Sequence, residues 1–180
     1  MKNMIRPLFR ENDTVVMIDQ RALPLKERYV ACTGYREVIA AIKDLTVRGA
    51  PAIGIATAMG IALGTLRIEA DTVEGFRNAF AEICGQFSAA RPTARNLFWA
   101  IERMQRRFDD TVGEAAVSRI QAIGRPSKNA AEPSSGISYA DPQTGGRKRE
   151  PFTGSAGEDL FRSVREALVA EAIRIGEEDV

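Results

Sequence analysis

Gly49 to Leu66, GAPAIGIATAMGIALGTL, runs without a single charged side chain, and its reading decides the fold. A run of this kind is about the minimum length for a bilayer span. Its large apolar residues are only Ile53, Ile55, Met59, Ile61, Leu63 and Leu66, however. The rest are Ala, Gly, Thr and one Pro, too weakly hydrophobic to insert. The stretch therefore reads as a helix buried inside a soluble core and entered after Pro51. Ala52, Ala56, Gly60 and Gly64 recur at four-residue intervals and leave one face almost bare, so that neighbouring helices can approach closely.

Shorter signals surround that helix. Thr14 to Gln20 is β-branched and stops at Asp19 before Leu23-Pro24, which predicts a strand and a turn, with Arg28 to Thr33 as its hairpin partner. Helical spacing then begins after Thr33, a candidate N-cap, with Tyr35, Val38, Ile39 and Ile42 on one face. A third helix is expected after Asp71, which with Glu74 resembles a capping box, and it carries Phe76, Phe80, Ile83 and Phe87. A fourth is expected from near Thr93, with Leu97, Ile101, Met104 and Phe108 inward and Arg103, Arg106 and Arg107 largely off that stripe.

Residues 111–158 are crowded with Gly, Pro and Ser and hold no Leu, so they read as a disordered linker or insertion, with too little apolar surface to offset the entropy of ordering. The triplet Arg147-Lys148-Arg149 within it reads as part of a solvated loop. From Asp159 a helical face returns through Leu160, Val164, Leu168 and Ala172. It finishes in Glu177-Glu178-Asp179, acids that oppose the helix dipole, as if the helix were interrupted. The expected organisation is thus α+β: 1–110 a small N-terminal β-hairpin followed by a helical cluster, 111–158 the linker, and 159–180 the start of an inter-domain helix.

Composition narrows the chemistry. With 25 Lys and Arg against 24 Asp and Glu, the net charge of +1 speaks against nucleic acid as a partner. The chain has no His, which removes His-based acid/base catalysis and the commonest metal ligand. Cys32 and Cys84 form no CxxC pair, and they read as small buried hydrophobes in a reducing, cytoplasmic protein. Trp99 reads as an anchoring aromatic. Asp19, at a strand end, is either a polar site residue or a turn initiator.

The richest local motif is Arg48-Gly49-Ala50-Pro51-Ala52-Ile53-Gly54. Its glycines have Walker A spacing, but Ile55 and Ala56 stand where a Lys and a Ser or Thr would meet phosphate and magnesium, and GxGxxG is absent as well. Nucleotide binding is excluded on this motif. A Pro-initiated helix start would still leave the amides of Ala52 and Ile53 free at the positive helix end, beside Arg48. That describes an anion site or, equally, a tight turn into a buried helix. Arg91-Pro92-Thr93-Ala94 repeats the arrangement, and two arginines at two helix starts could meet one phosphorylated ligand.

RGAPAIG at 48–54 with its Ala/Gly-rich helix, and RPTARNLFWA at 91–100, together resemble the amino-terminal part of the methylthioribose-1-phosphate isomerase family. Val16 to Gln20 and the segments Glu171 to Ile173 and Glu177 to Val180 support the resemblance, which covers about 14–110 and 163–180. It implies conversion of the aldose 5-methylthioribose 1-phosphate to the ketose 5-methylthioribulose 1-phosphate in methionine salvage. No metal and no other cofactor would be needed, no membrane would be involved, and the enzyme would be a cytoplasmic homodimer. It implies substrate contacts at Arg48, Gly49, Ala50 and Arg91. The family's catalytic Cys and Asp belong to a Rossmann-like C-terminal domain whose motifs do not occur here, so no catalytic position is assigned. Related folds serve as regulatory subunits of a translation-initiation exchange factor, which offers a non-catalytic sugar-phosphate-binding or assembly module as the alternative. Residues 117–158 are expected to fall outside the family pattern, and Arg95 stands where an apolar residue is expected.

Overall fold

The computed structural model describes residues 6–123 and 155–178. Three antiparallel strands open the fold: β1 (Leu8–Glu11), β2 (Thr14–Ile18) and β3 (Tyr29–Cys32), in the order β1-β2-β3. The register places Phe9 opposite Val16 and Val16 opposite Ala31. The expected hairpin is therefore β2 with β3, and β1 is an addition. Its side chains after Leu8 and Phe9 are Arg10 and Glu11, the charged composition of an edge strand, which carries almost no periodic apolar signal. Asn12, at φ 51°, makes the tight turn into β2, a left-handed conformation that Asn tolerates better than most residues.

Five helices follow: α1 (Tyr35–Lys43), α2 (Ala50–Thr65), α3 (Val73–Ser88), α4 (Arg95–Ile123) and α5 (Ser155–Glu178). Several boundaries differ from expectation. The N-cap of α1 is Gly34, not Thr33, and the capping group is the Glu37 carboxylate, which accepts from the Thr33 amide at 2.7 Å and the Gly34 amide at 3.3 Å. Thr72, not Asp71, caps α3 by accepting from the Gly75 amide at 3.0 Å. Helix α4 continues to Ile123, well past residue 111, because Thr111 is still buried on its inner face and Val112 packs against the core. At the far end α5 starts at Ser155 rather than Asp159. The rest of the expected linker lies outside the described residues.

Helix α2 is the centre of the molecule, with every residue from Ile53 to Thr65 buried. Its two hydroxyls, on Thr57 and Thr65, are satisfied inside the helix by the carbonyls of Ile53 and Ile61, both at 2.8 Å. The bare face does what its spacing predicts. A Cβ on Gly60 would lie 2.5 Å from the Phe87 ring and 3.0 Å from Val38, and one on Gly64 would lie 3.1 Å from Ile83 and Tyr35. Helices α1 and α3 thus seat directly on the α2 backbone. On another side Gly54 meets the backbone of Asn96, which would be 3.2 Å from an added Cβ, so α2 and α4 start at the same end of the bundle. Helix α5 runs the opposite way: Gly176 packs on Met59 and Ile55, while the Arg165 guanidinium donates to the Ile68 carbonyl at 2.7 Å.

The phenylalanines close the other end. Phe76 stacks on Phe161 with centroids 4.9 Å apart and Phe80 on Phe108 at 4.6 Å, which ties α3, α4 and α5 together. Further along the same pair of helices, Arg103 of α4 bonds Glu171 of α5 at 2.5 Å and forks onto Glu178. One of the acids at the end of α5, Glu178, is thereby compensated by an arginine from a neighbouring helix, while Asp179 lies outside the described residues. Arg103 also lies 5.3 Å over the Trp99 ring, and Trp99 remains 41% exposed, a half-open cover for the guanidinium and not a core anchor.

These contacts separate two glycines that look alike in sequence. Gly60→Ala forces a methyl into the Phe87 ring and should destabilise by about 1–3 kcal/mol. Gly85→Ala, in α3 with nothing within 4 Å of the added carbon, should stabilise by roughly 0.5–1 kcal/mol. Urea unfolding monitored by circular dichroism measures both, and equal effects would contradict the packing described.

Candidate functional site

The turn that enters α2 is built from two loops laced together. One follows β2 and contains Asp19, Gln20 and Arg21; the other follows α1 and contains Asp44, Leu45, Thr46, Val47 and Arg48. Asp19 is fully buried, and its carboxylate accepts from the Arg21 amide at 3.1 Å, from Arg21 Nε at 2.9 Å and Nη2 at 3.0 Å, and from Arg28. Hydrogen bonds from Arg21, then from Arg28, outweigh desolvation and hold this carboxyl well below the usual carboxylate range. Asp19 also initiates a turn, since its carbonyl accepts from the Ala22 amide at 3.0 Å. It is thus a buried structural staple with every oxygen occupied.

Arg21 extends the chain of charge to Asp44 at 2.9 Å. Burial pushes the Asp44 carboxyl up, but the bonds from Thr46 Oγ1 at 2.7 Å and its amide at 3.0 Å, with the Arg21 charge, bring it net below its ordinary value. Leu45, just past the end of α1, takes φ 66°, a left-handed position usually filled by Gly and costing a side chain about 1–2 kcal/mol. Burial of Thr46 and Val47 immediately after it accounts for the conformation.

Arg48 is exposed at the end of this loop. Its amide donates to Gln20 Oε1 at 2.9 Å and its guanidinium to the Gln20 carbonyl at 2.5 Å. Gly49 is the N-cap of α2 at φ 89°, ψ 142°. No atom lies within 4 Å of a Cβ placed there, so the glycine is required by backbone conformation rather than by space. Ala50 is then the first helical residue and Pro51 the second. The Ile53 amide is not free: it donates to the Gly49 carbonyl at 3.0 Å. The unbonded amides of the first turn are those of Ala50 and Ala52, a one-residue correction to the pair predicted from Pro51 as first residue.

Arg91 differs from the expected repeat. Pro92 sits inside a turn closed by the Ala94 amide on the Arg91 carbonyl at 3.0 Å, and the first helical bond is from Leu97 to Ala94, also 3.0 Å. Proline here occupies a turn position instead of starting the helix. Because Gly54 abuts Asn96, the segments bearing Arg48 and Arg91 lie at the same end of the bundle, and the two side chains share no bonding partner. The thiols of Cys32 and Cys84 are buried, and burial pushes them up to about 11 and about 12 respectively, leaving neither as a thiolate at neutral pH.

A feature with no sequence signal is a groove of about 740 Å³ that begins at Pro51 and Ala52 and runs between β1 and α5, walled by Leu8, Phe9, Ile55, Met59 and Ile173. Among the described residues no helix is long and apolar enough to cross a membrane, and no three potential metal ligands cluster.

The model of the Initiation factor 2 subunit family matches residues 46–140, from Thr46 in the loop just described through all of α4 and beyond. The chain belongs to that family. It is 45% identical over 172 residues to methylthioribose-1-phosphate isomerase of Syntrophus aciditrophicus, a match taking in 94% of this chain and 38% of that protein. It is 53% identical over 98 residues to the enzyme of the same name from Geotalea uraniireducens, with 54% and 28% covered. The fold superposes on 5-methylthioribose 1-phosphate isomerase of Pyrococcus horikoshii with a TM-score of 0.66 at 27% identity, covering 98% of this chain and 37% of that one. It also superposes on the delta subunit of translation initiation factor eIF-2B from A. fulgidus, with a TM-score of 0.64 at 26% identity. The chain thus spans well under half the length of the relatives it matches. The family match ends at residue 140, inside the 117–158 stretch expected to fall outside the family pattern.

The Asp19 staple makes a pH prediction. A carboxyl held low in the folded state stabilises fully above its unfolded value near 4, and that stabilisation is lost as pH falls toward the folded value. Asp19→Asn should melt well below the native chain at pH 7, with the gap narrowing as pH drops below 4. A gap independent of pH would show that the ionised form is not what the fold uses.

Proposed function

We propose that this chain is the sugar-phosphate-anchoring part of a methylthioribose-1-phosphate isomerase, acting in the cytoplasm in methionine salvage and assembling as a homodimer. The observation that carries the reading is the turn at the start of α2. There the Ala50 and Ala52 amides emerge at the positive end of a buried helix beside an arginine that keeps donors free. Phosphate suits such a place, and the named function of the relatives supplies the rest of the ligand. Arg48, Gly49 and Ala50 then contact the phosphorylated sugar, with Arg91 as a second cation from the same end of the bundle.

The same residues are poorly equipped to turn the substrate over. Moving a hydrogen between adjacent carbons needs a positioned acid or base, help that is typically worth about a hundred- to ten-thousandfold. Guanidinium stays charged and cannot accept a proton. The chain has no His, its thiols are buried and protonated, and Asp19 is committed to two arginines. Acid/base chemistry is therefore assigned to the part of the longer relatives that this chain does not span. A second reading, a non-catalytic assembly module, is favoured by the apolar groove along β1, α2 and α5 and by the likeness to an initiation-factor subunit.

Incubation of the purified chain with 5-methylthioribose 1-phosphate, followed by NMR, should give no ketose, while the aldose shifts protein resonances around residues 48–52. Arg48→Ala should abolish those shifts. Turnover that depends on Arg48 would refute the division of labour, and shifts confined to the groove would favour the assembly module.

A further inference from the structure

We propose that Gln20 is a positioning residue for the anion site, holding the Arg48 peptide so that the amides after Gly49 face the ligand. The inference rests on Arg48 being an anion contact. Three bonds join residue 20 to the loop that enters α2. The Gln20 amide donates to the Thr46 carbonyl at 2.9 Å, Gln20 Oε1 accepts from the Arg48 amide at 2.9 Å, and the Gln20 carbonyl accepts from the Arg48 guanidinium at 2.5 Å. Gln20 is itself fixed from behind, because it follows the buried Asp19, whose amide donates to the Arg28 carbonyl at 2.7 Å.

The consequence is directional. The peptide that joins Arg48 to its predecessor is pinned just before the left-handed Gly49, so the orientation of the first turn of α2 is set from outside the helix. With the Arg48 amide occupied, the donors left for an anion include the Gly49, Ala50 and Ala52 amides and the remaining guanidinium N–H groups. One Nη2 bond consumes only part of the five-donor fork. The side chain of Gln20 makes no other bond among the described residues, and the backbone bonds on either side of it do not need it. Its amide group is therefore spent on one donor, the Arg48 N–H.

That economy permits a clean test on the full 180-residue chain. Gln20→Ala removes the acceptor, Gln20→Met keeps the length and apolar contact without a good acceptor, and Gln20→Glu keeps an acceptor at the same reach. Amide hydrogen exchange at Arg48 reads the bracket directly, with or without ligand. Titration with 5-methylthioribose 1-phosphate reads its consequence. Loss of one hydrogen bond predicts about three- to tenfold faster Arg48 exchange and a similarly weakened affinity in the Ala and Met variants, with native protection regained in the Glu variant. Recovery by Met would reduce the effect to packing and overturn the proposal. Native affinity and native Arg48 exchange in Gln20→Ala would overturn it too, while leaving the anion site standing if Arg48→Ala abolishes binding. If Arg48→Ala leaves binding unchanged, the functional reading itself fails.

Discussion

Burial of α2 on every side is the constraint from which the rest of the structure follows. A helix with no charged residue and with glycines where its neighbours cross cannot face water, so α1, α3, α4, α5 and the sheet are arranged around it. The glycines set how closely they come: Phe87 and Val38 occupy the room left at Gly60, and the Asn96 backbone the room left at Gly54. Only the first turn reaches the surface, where Gly49, Ala50 and Pro51 are exposed and Ala52 half-buried. The proposed anion-binding turn is thereby mounted on the most deeply buried helix of the molecule, which favours precise geometry at low reorganisation cost.

Charge pairs do a second job, joining segments that are distant in sequence. Asp19, Arg21 and Asp44 bind the loop after β2 to the loop after α1, and Arg103 holds α4 to α5 through Glu171 and Glu178. Exposed pairs contribute little, typically about 0–1 kcal/mol. Glu171 is different, since removing the partner of a buried charge typically costs about 3–5 kcal/mol. The polar lacing thus fixes which loops meet, while apolar burial supplies most of the driving force.

Much of this was legible in the residues because it is periodic. The Phe76, Leu97 and Leu160 stripes are buried as their spacing predicts, and Cys32 and Cys84 are buried as small hydrophobes. Strand β1 was not legible, for an edge strand needs few apolar side chains. Nor was the length of α4, whose last turns carry a weak stripe. At the candidate site, the motif located the turn but misplaced one amide, because a left-handed Gly49 shifts the helix start by one residue relative to Pro51. The pairing of Gln20 with Arg48 carried no signal: the partner lies in a loop 28 residues away, and no pattern within either segment betrays it.

The central claim is that the exposed turn of a buried helix receives a sugar phosphate. A crystal structure of the chain with 5-methylthioribose 1-phosphate addresses it most directly. The account predicts phosphoryl oxygens accepting from the Ala50 and Ala52 amides and from the Arg48 guanidinium, with α2 unmoved. A ligand seated elsewhere, with those amides bonded only to water, would contradict it.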